Sequence, residues 1–150
     1  MSLKLKRISY SDDLNARQKE NFNFQKVSAV LADYGFVTIR LSDDWQGADF
    51  IALHHKDGET LRVQLKGRLT VAQKYKGKGL HITFFTKDHW YLCLHDKLLD
   101  LVLKNTKISE TRSWKENEEY SFPRPSRSLF KLIEKYKITG DVKAIEESQA

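Results

Sequence analysis

The chain has 150 residues, the length of a single domain with room for a two- or three-layer core. At 40% hydrophobic and 11% aromatic residues it is expected to fold, and no apolar run approaches the ~20 residues of a membrane-crossing helix. The 26 basic against 20 acidic residues give a net charge of +6, which favours a polyanionic partner without requiring one. The N-terminus, MSLKLKRIS, lacks the apolar stretch of a secretory signal, and the single Cys93 excludes an internal disulfide. A soluble, cytoplasmic protein with no membrane partner is expected. Cys93 lies in the apolar run YLCL and reads as core.

Residues 1–11 are basic and irregular, a solvated terminus in which Lys4, Lys6 and Arg7 could reach a phosphate backbone. Ser11, Asp12 or Asp13 is expected to cap a helix that runs to about Tyr34 and stops at Gly35. Phe24, Val27, Leu31 and Tyr34 recur at helical spacing and form its buried stripe. Glu20 extends that stripe one turn upstream, where a carboxylate needs a partner or an ion unless it is solvent-exposed. Residues 36–41 (FVTIRL) alternate as a first strand. Residues 42–47 read as a loop in which Asp43 and Asp44 are turn residues or an outer layer of charge.

Asp57-Gly58 then signals a two-residue hairpin turn between two β-forming runs. With Lys56 and Glu59 flanking it, Ala52 faces Val63, Phe50 faces Leu65 and Asp49 faces Lys66. Side chains alternate faces along a strand, so Phe50, Ala52, Leu61, Val63 and Leu65 share the core face. Asp49, Gln64 and Lys66 gather at one end of the other face, beside Ile51 and Leu53. A carboxylate and an amide carbonyl are hard oxygen ligands of the kind magnesium accepts, and an ammonium group beside them can stabilise charge on a phosphate. The same residues also make an ordinary cross-strand Asp–Lys ion pair with a polar neighbour, and a shift of one residue would scatter them.

Downstream, Arg68 and the run TVAQKYKGKG at 70–79 read as a flexible basic segment. Lys74, Lys76 and Lys78 are its cations and Tyr75 its aromatic face, a candidate nucleic-acid surface. Residues 80–85 and 89–94 read as two strands around the turn 86–88. Asp96 is expected to cap a helix over 97–104, which outweighs a general-base reading of His95-Asp96. His81, His89 and His95 lack the spacing of a metal pair. Residues 105–125 have no periodicity, and Ser126 opens an amphipathic helix through Leu129, Phe130, Leu132, Ile133 and Tyr136. Arg124, Arg127, Lys131 and Lys135 lie in or beside it, so it could dock on DNA. Asp141 is read as the cap of a last short helix before a loose tail, EESQA.

Gly47-Ala48-Asp49, fourteen residues, then Gln64-Leu65-Lys66 resembles the core of the PD-(D/E)XK nuclease superfamily, which includes restriction endonucleases and Holliday-junction resolvases. The resemblance covers about residues 12–105. It implies an α/β, restriction-endonuclease-like fold: an N-terminal helix, a central mixed sheet of about five strands including a β-hairpin, and flanking helices. Residues 126–148 would be a C-terminal helical extension of one domain spanning 1–150. It implies Asp49 as the metal-binding acid, Gln64 as the second ligand, Lys66 as the catalytic lysine and the Leu65 carbonyl as a further ligand, with Mg2+ or Mn2+ as the metal. Two departures stand out: Ala48 replaces the usual proline, and Gln64 replaces an acid and removes one negative charge. The family's helix glutamate usually stands about two turns before the leucine of a Leu-x-x-x-Gly-Phe ending. Here Glu20 stands about three turns before Leu31, so its face matches and its spacing does not.

A metal-dependent endonuclease acting on nucleic acid, with DNA the expected substrate, is the leading expectation. A binding module of the same fold without activity is the alternative, and a subunit that meets an acidic protein is a third. Cutting both strands of a duplex would favour a symmetric homodimer.

Overall fold

In this computed structural model residues 4–140 are described. Asp141, the tail and the extension beyond residue 140 lie outside them. The chain is α/β. Two helices come first, α1 (Tyr10–Asp13) and α2 (Ala16–Asp33). Strands β1 (Phe36–Trp45), β2 (Ala48–His54), β3 (Thr60–Lys66), β4 (Leu69–Ala72), β5 (His81–Thr86) and β6 (His89–Leu94) follow. Then come α3 (His95–Asn105), α4 (Arg112–Asn117), β7 (Glu119–Phe122) and α5 (Arg127–Ile133). Five strands form a mixed sheet in the order β1-β2-β3-β5-β6, with β3 and β5 its parallel pair. β4 and β7 form a separate antiparallel ribbon.

Helix α2 starts later than the sequence suggests. Ser11, Asp12 and Asp13 do not cap it; they form, with Tyr10, the separate helical turn α1 capped by Ser9, and Leu14 is extended. Asn15 is the cap, in a reciprocal box with Gln18 closed by two 2.9 Å bonds. From there Val27 and Leu31 reach the core with Phe50, Ala52, Leu61, Val63 and Leu65. Gly35, at a φ of 86°, takes the left-handed step that ends the helix.

The central hairpin keeps its faces but not its register. Phe50 pairs with Val63 and Ala52 with Leu61, a shift of two residues from the expected pairing. Of the two turn residues only Gly58 has positive φ, whereas the tight two-residue turns, I′ and II′, both need it at the first, Asp57. A five-residue loop forms instead, organised by His54: its ring accepts the Lys56 amide at 3.2 Å, and its backbone amide bonds the Glu59 carbonyl at 2.8 Å. An even shift preserves the alternation, so the predicted core face is the observed one. Lys66, however, no longer faces Asp49; continuing the register brings Gln64 level with it.

The far face of the sheet is covered over β5 and β6. There Ile82, Phe84, Tyr91 and Cys93 pack with β4, α3 and α5 around Leu69, Val71, Leu98, Leu99, Leu129 and Ile133. The supposed flexible run 70–79 therefore begins as a buried strand, and Tyr75 is buried rather than presented to solvent. The aperiodic stretch 105–125 holds α4 and β7, the partner that β4 requires. Asp96 does not cap α3, which starts at His95; it accepts the Gly77 amide at 3.0 Å and anchors that loop. His95 is buried and accepts the Ala72 amide at 3.3 Å, a brace between layers.

Strand β1 continues to Trp45, past the expected loop, and turns through Gln46 and Gly47, both with positive φ. A Cβ on Gly47 would lie 2.7 Å from Leu80 and 3.1 Å from Tyr75. Gly58 also has positive φ but open space around it. Gly58→Ala should therefore cost about 1 kcal/mol of backbone strain, and Gly47→Ala about 3 kcal/mol once the clash is added. Urea unfolding of the two variants reads the difference directly.

Candidate functional site

The site forms where β2 leaves both of its neighbours at one residue. In the β1–β2 ladder Arg40 pairs with Phe50 and Trp45 with Ala48, so residues 41–44 stand against Asp49 alone. On the other side the β2–β3 ladder stops at Phe50 and Val63. Asp49 lies in the gap, and its Oδ2 accepts the Leu65 amide at 2.8 Å, replacing the lost ladder bond.

Beside this gap lies a cavity of about 880 Å³ lined by Asp49, Glu20, Arg40, Asp43 and Asp44 among others. The Asp49 carboxyl is held above its ordinary value, first by desolvation and then by the carboxylates of Glu20 and Asp44. The Leu65 amide and the Lys66 ammonium pull the other way and do not overcome it. Helix α2 thus brings Glu20 into the electrostatic reach of Asp49 despite its unusual spacing. Glu20 is half-exposed and pairs with Arg40 at 3.1 Å, and Arg40 also donates to Asn21. An exposed pair of this kind is worth at most about 1 kcal/mol, so it can exchange partners readily.

Gln64 and Lys66 lie outside the lining of that cavity. Gln64 is buried, and its amide nitrogen is 3.4 Å from the Leu65 carbonyl. Lys66 sits 5.5 Å from the centre of the Tyr75 ring and 3.8 Å from Glu119 on β7. Lys74 lies over the same ring at 5.2 Å. Arg68, Lys76 and Lys78 are exposed on the loops that follow. Sequence reasoning missed Arg40 and Glu119. Arg40 lay in a plain alternating strand, and Glu119 in a stretch with no periodicity to place it.

Among the described residues no group of three or more His, Cys, Asp and Glu side chains is gathered to hold a metal. The oxygen donors on offer are of another composition: the Asp49 carboxylate at the cavity, and the Leu65 carbonyl and Gln64 amide, which meet each other outside its lining. Magnesium commonly takes one or two carboxylates and keeps several waters, so the donor chemistry fits it. Turning the Gln64 amide over would set its oxygen beside the Leu65 carbonyl, an arrangement that favours a cation between them.

No protein-family model and no curated protein matches this sequence. Among solved structures, that of a bacterial homing endonuclease, I-Ssp6803I, is similar over 90% of this chain and 95% of its own, at 13% identity and a TM-score of 0.49. Likeness at that level says nothing of this chain's chemistry.

A raised carboxyl pKa means that ionising Asp49 costs stability: from the ordinary value upward the folded state binds more protons than the unfolded one. Asp49→Asn, which keeps an acceptor for Leu65, should melt at a higher temperature than the parent at pH 7. The gap should narrow as the pH falls through the raised folded value and vanish below 3.8, where the parent is protonated in both states. Thermal melts across that range give the sign; an Asn variant less stable at pH 7 would contradict it.

Proposed function

We propose that this chain is a metal-dependent nuclease of the PD-(D/E)XK kind, hydrolysing phosphodiester bonds of nucleic acid, DNA first. The supporting observation is Asp49: a partly desolvated carboxylate that feels the charge of Glu20 and Asp44, set where the sheet opens onto a cavity. Uncompensated negative charge of this kind destabilises the fold unless a cation uses it.

Asp49, the Leu65 carbonyl and the Gln64 amide oxygen would hold Mg2+ or Mn2+, with Glu20 joining once it releases Arg40. A metal held by these residues would supply positive charge against the scissile phosphate and acidity to a nearby water. Lys66 stabilises the charge that builds on the phosphate, and Glu119 and Tyr75 restrain its ammonium. Arg40, freed from Glu20, would take a neighbouring phosphate oxygen. Arg68, Lys74, Lys76 and Lys78 provide the basic surface along which the backbone runs.

A second reading keeps the nucleic acid and drops the chemistry. It is favoured by the Gln64 amide nitrogen on the Leu65 carbonyl, which leaves Asp49 as the one secure acid. Labelled single-stranded, duplex, flap and four-way-junction DNA, and RNA, incubated with Mg2+ or Mn2+, separate the two. Asp49→Ala and Lys66→Ala should each lower cleavage by about 100-fold or more while leaving the fold intact. Cleavage by either variant at the parent rate sinks the mechanism. Salt-sensitive binding with no cleavage by the parent leaves the binding module. Independently of activity, excess Mg2+ at about 100 times its Kd should stabilise the parent by about 2.7 kcal/mol and the Asp49→Ala variant far less.

A further inference from the structure

Trp45 is an indole at the surface beside this site, and the fold holds it there. It closes strand β1 opposite Ala48, next in the chain to Asp49, and is 52% exposed. Trp90, by contrast, is buried. An exposed indole in an open loop would be unremarkable, but one direct contact and the anchoring of its neighbours restrain this one. Gly47 packs against Leu80 and Tyr75 and pins the hairpin tip to the layer behind it. The Arg62 guanidinium lies over the Trp45 ring, 5.6 Å from its centre. Arg62 is itself tethered, donating to the Gln46 side chain at 2.5 Å and to the Lys78 carbonyl.

Those contacts tie the indole to the loop bearing Lys76 and Lys78. By strand alternation Arg62 shares a sheet face with Gln64 and Lys66. The surface also has an apolar side. Ile51 is level with Arg62, and Ile39 with Ile51, and Ile39 is exposed. A rigid indole between exposed lysines and an apolar strip suits a ligand with an aromatic face and a phosphate backbone.

We infer that Trp45 is a stacking platform for an unpaired base of a nucleic acid bound at this site, so that the preferred substrate has a single-stranded segment. The inference rests on the nucleic-acid reading above and names the substrate class within it. Bases inside a duplex are stacked on one another and offer an indole groove edges, sugars and phosphates but no open face. An unpaired base offers its whole face, and such stacking is sequence-tolerant because every base has one. Arg62 holds the ring in place while the lysines take phosphates.

The test is binding without divalent cation, in EDTA, so that cleavage plays no part. Labelled single-stranded DNA, single-stranded RNA and a duplex of the same sequence are titrated with the parent, Trp45→Ala and Trp45→Phe. Trp45→Ala should weaken binding to the single strands about tenfold, Trp45→Phe should restore most of it, and duplex affinity should hold. The salt slope should not change in Trp45→Ala but should fall by about one in Lys78→Ala. Urea midpoints close to the parent's exclude misfolding. Equal losses on single strand and duplex, or none on the single strand, overturn the stacking role while nucleic-acid binding stands. If the parent binds none of the three, the nucleic-acid reading fails and this inference with it.

Discussion

The structure turns on one break in a hydrogen-bond ladder. Four residues of β1 oppose one of β2, and the third strand departs at the same point. Peptide groups left bare there would cost about 1–3 kcal/mol each. Asp49 limits that cost by accepting the Leu65 amide through its side chain. The same residue thereby closes the backbone account and places a charge at the mouth of a cavity. Because Glu20 and Asp44 are close as well, the solution is electrostatically poor. An asparagine could accept the bond without the repulsion. That a carboxylate stands here is the strongest sign that its charge has a use.

What could be read in advance followed from local rules. Strand alternation sorted the hairpin into a core face and a polar face, and that partition survived a register error because the error was even. The helical stripe of Val27 and Leu31 was legible for the same reason. Signals that depend on competition between neighbours were not. Asn15 with Gln18 outcompeted three nearer-looking caps, and His54 drew the Asp57-Gly58 turn into a longer loop. Strand β4 was hidden because its partner, β7, lies about fifty residues away in a stretch without pattern. Such a pairing is a tertiary fact. It also supplies Glu119, which no local rule could have brought to Lys66.

The candidate residues could be named from the strand pattern, but their arrangement could not. Asp49, Gln64 and Lys66 share the polar face as the alternation required. The cavity, however, gathers Asp49 with Glu20 and Arg40, while Lys66 turns towards Tyr75 and Glu119. Two ion pairs therefore flank the gap, Glu20 with Arg40 on one side and Glu119 with Lys66 on the other. Both involve side chains with access to water, so neither is held by much energy. On the nuclease reading this matters. A metal competes for the acids and a phosphate competes for the bases, so each arrival weakens the pair that opposes the other. Metal and substrate would then bind with positive coupling, through charges already in place and with no movement of the sheet.

That coupling bears on Gln64. A second acid at that position would strengthen metal binding in the absence of substrate, but it would also add charge to a group of carboxylates that already repel one another. The neutral amide avoids this. Its buried position leaves it an anchor for the Leu65 carbonyl, available to turn when a cation draws both oxygens together. Seen this way, the missing charge does not by itself mark a dead site. On the nuclease reading it would shift part of the metal's affinity from the protein to the phosphate that arrives with it, and so tie metal occupancy to the presence of substrate.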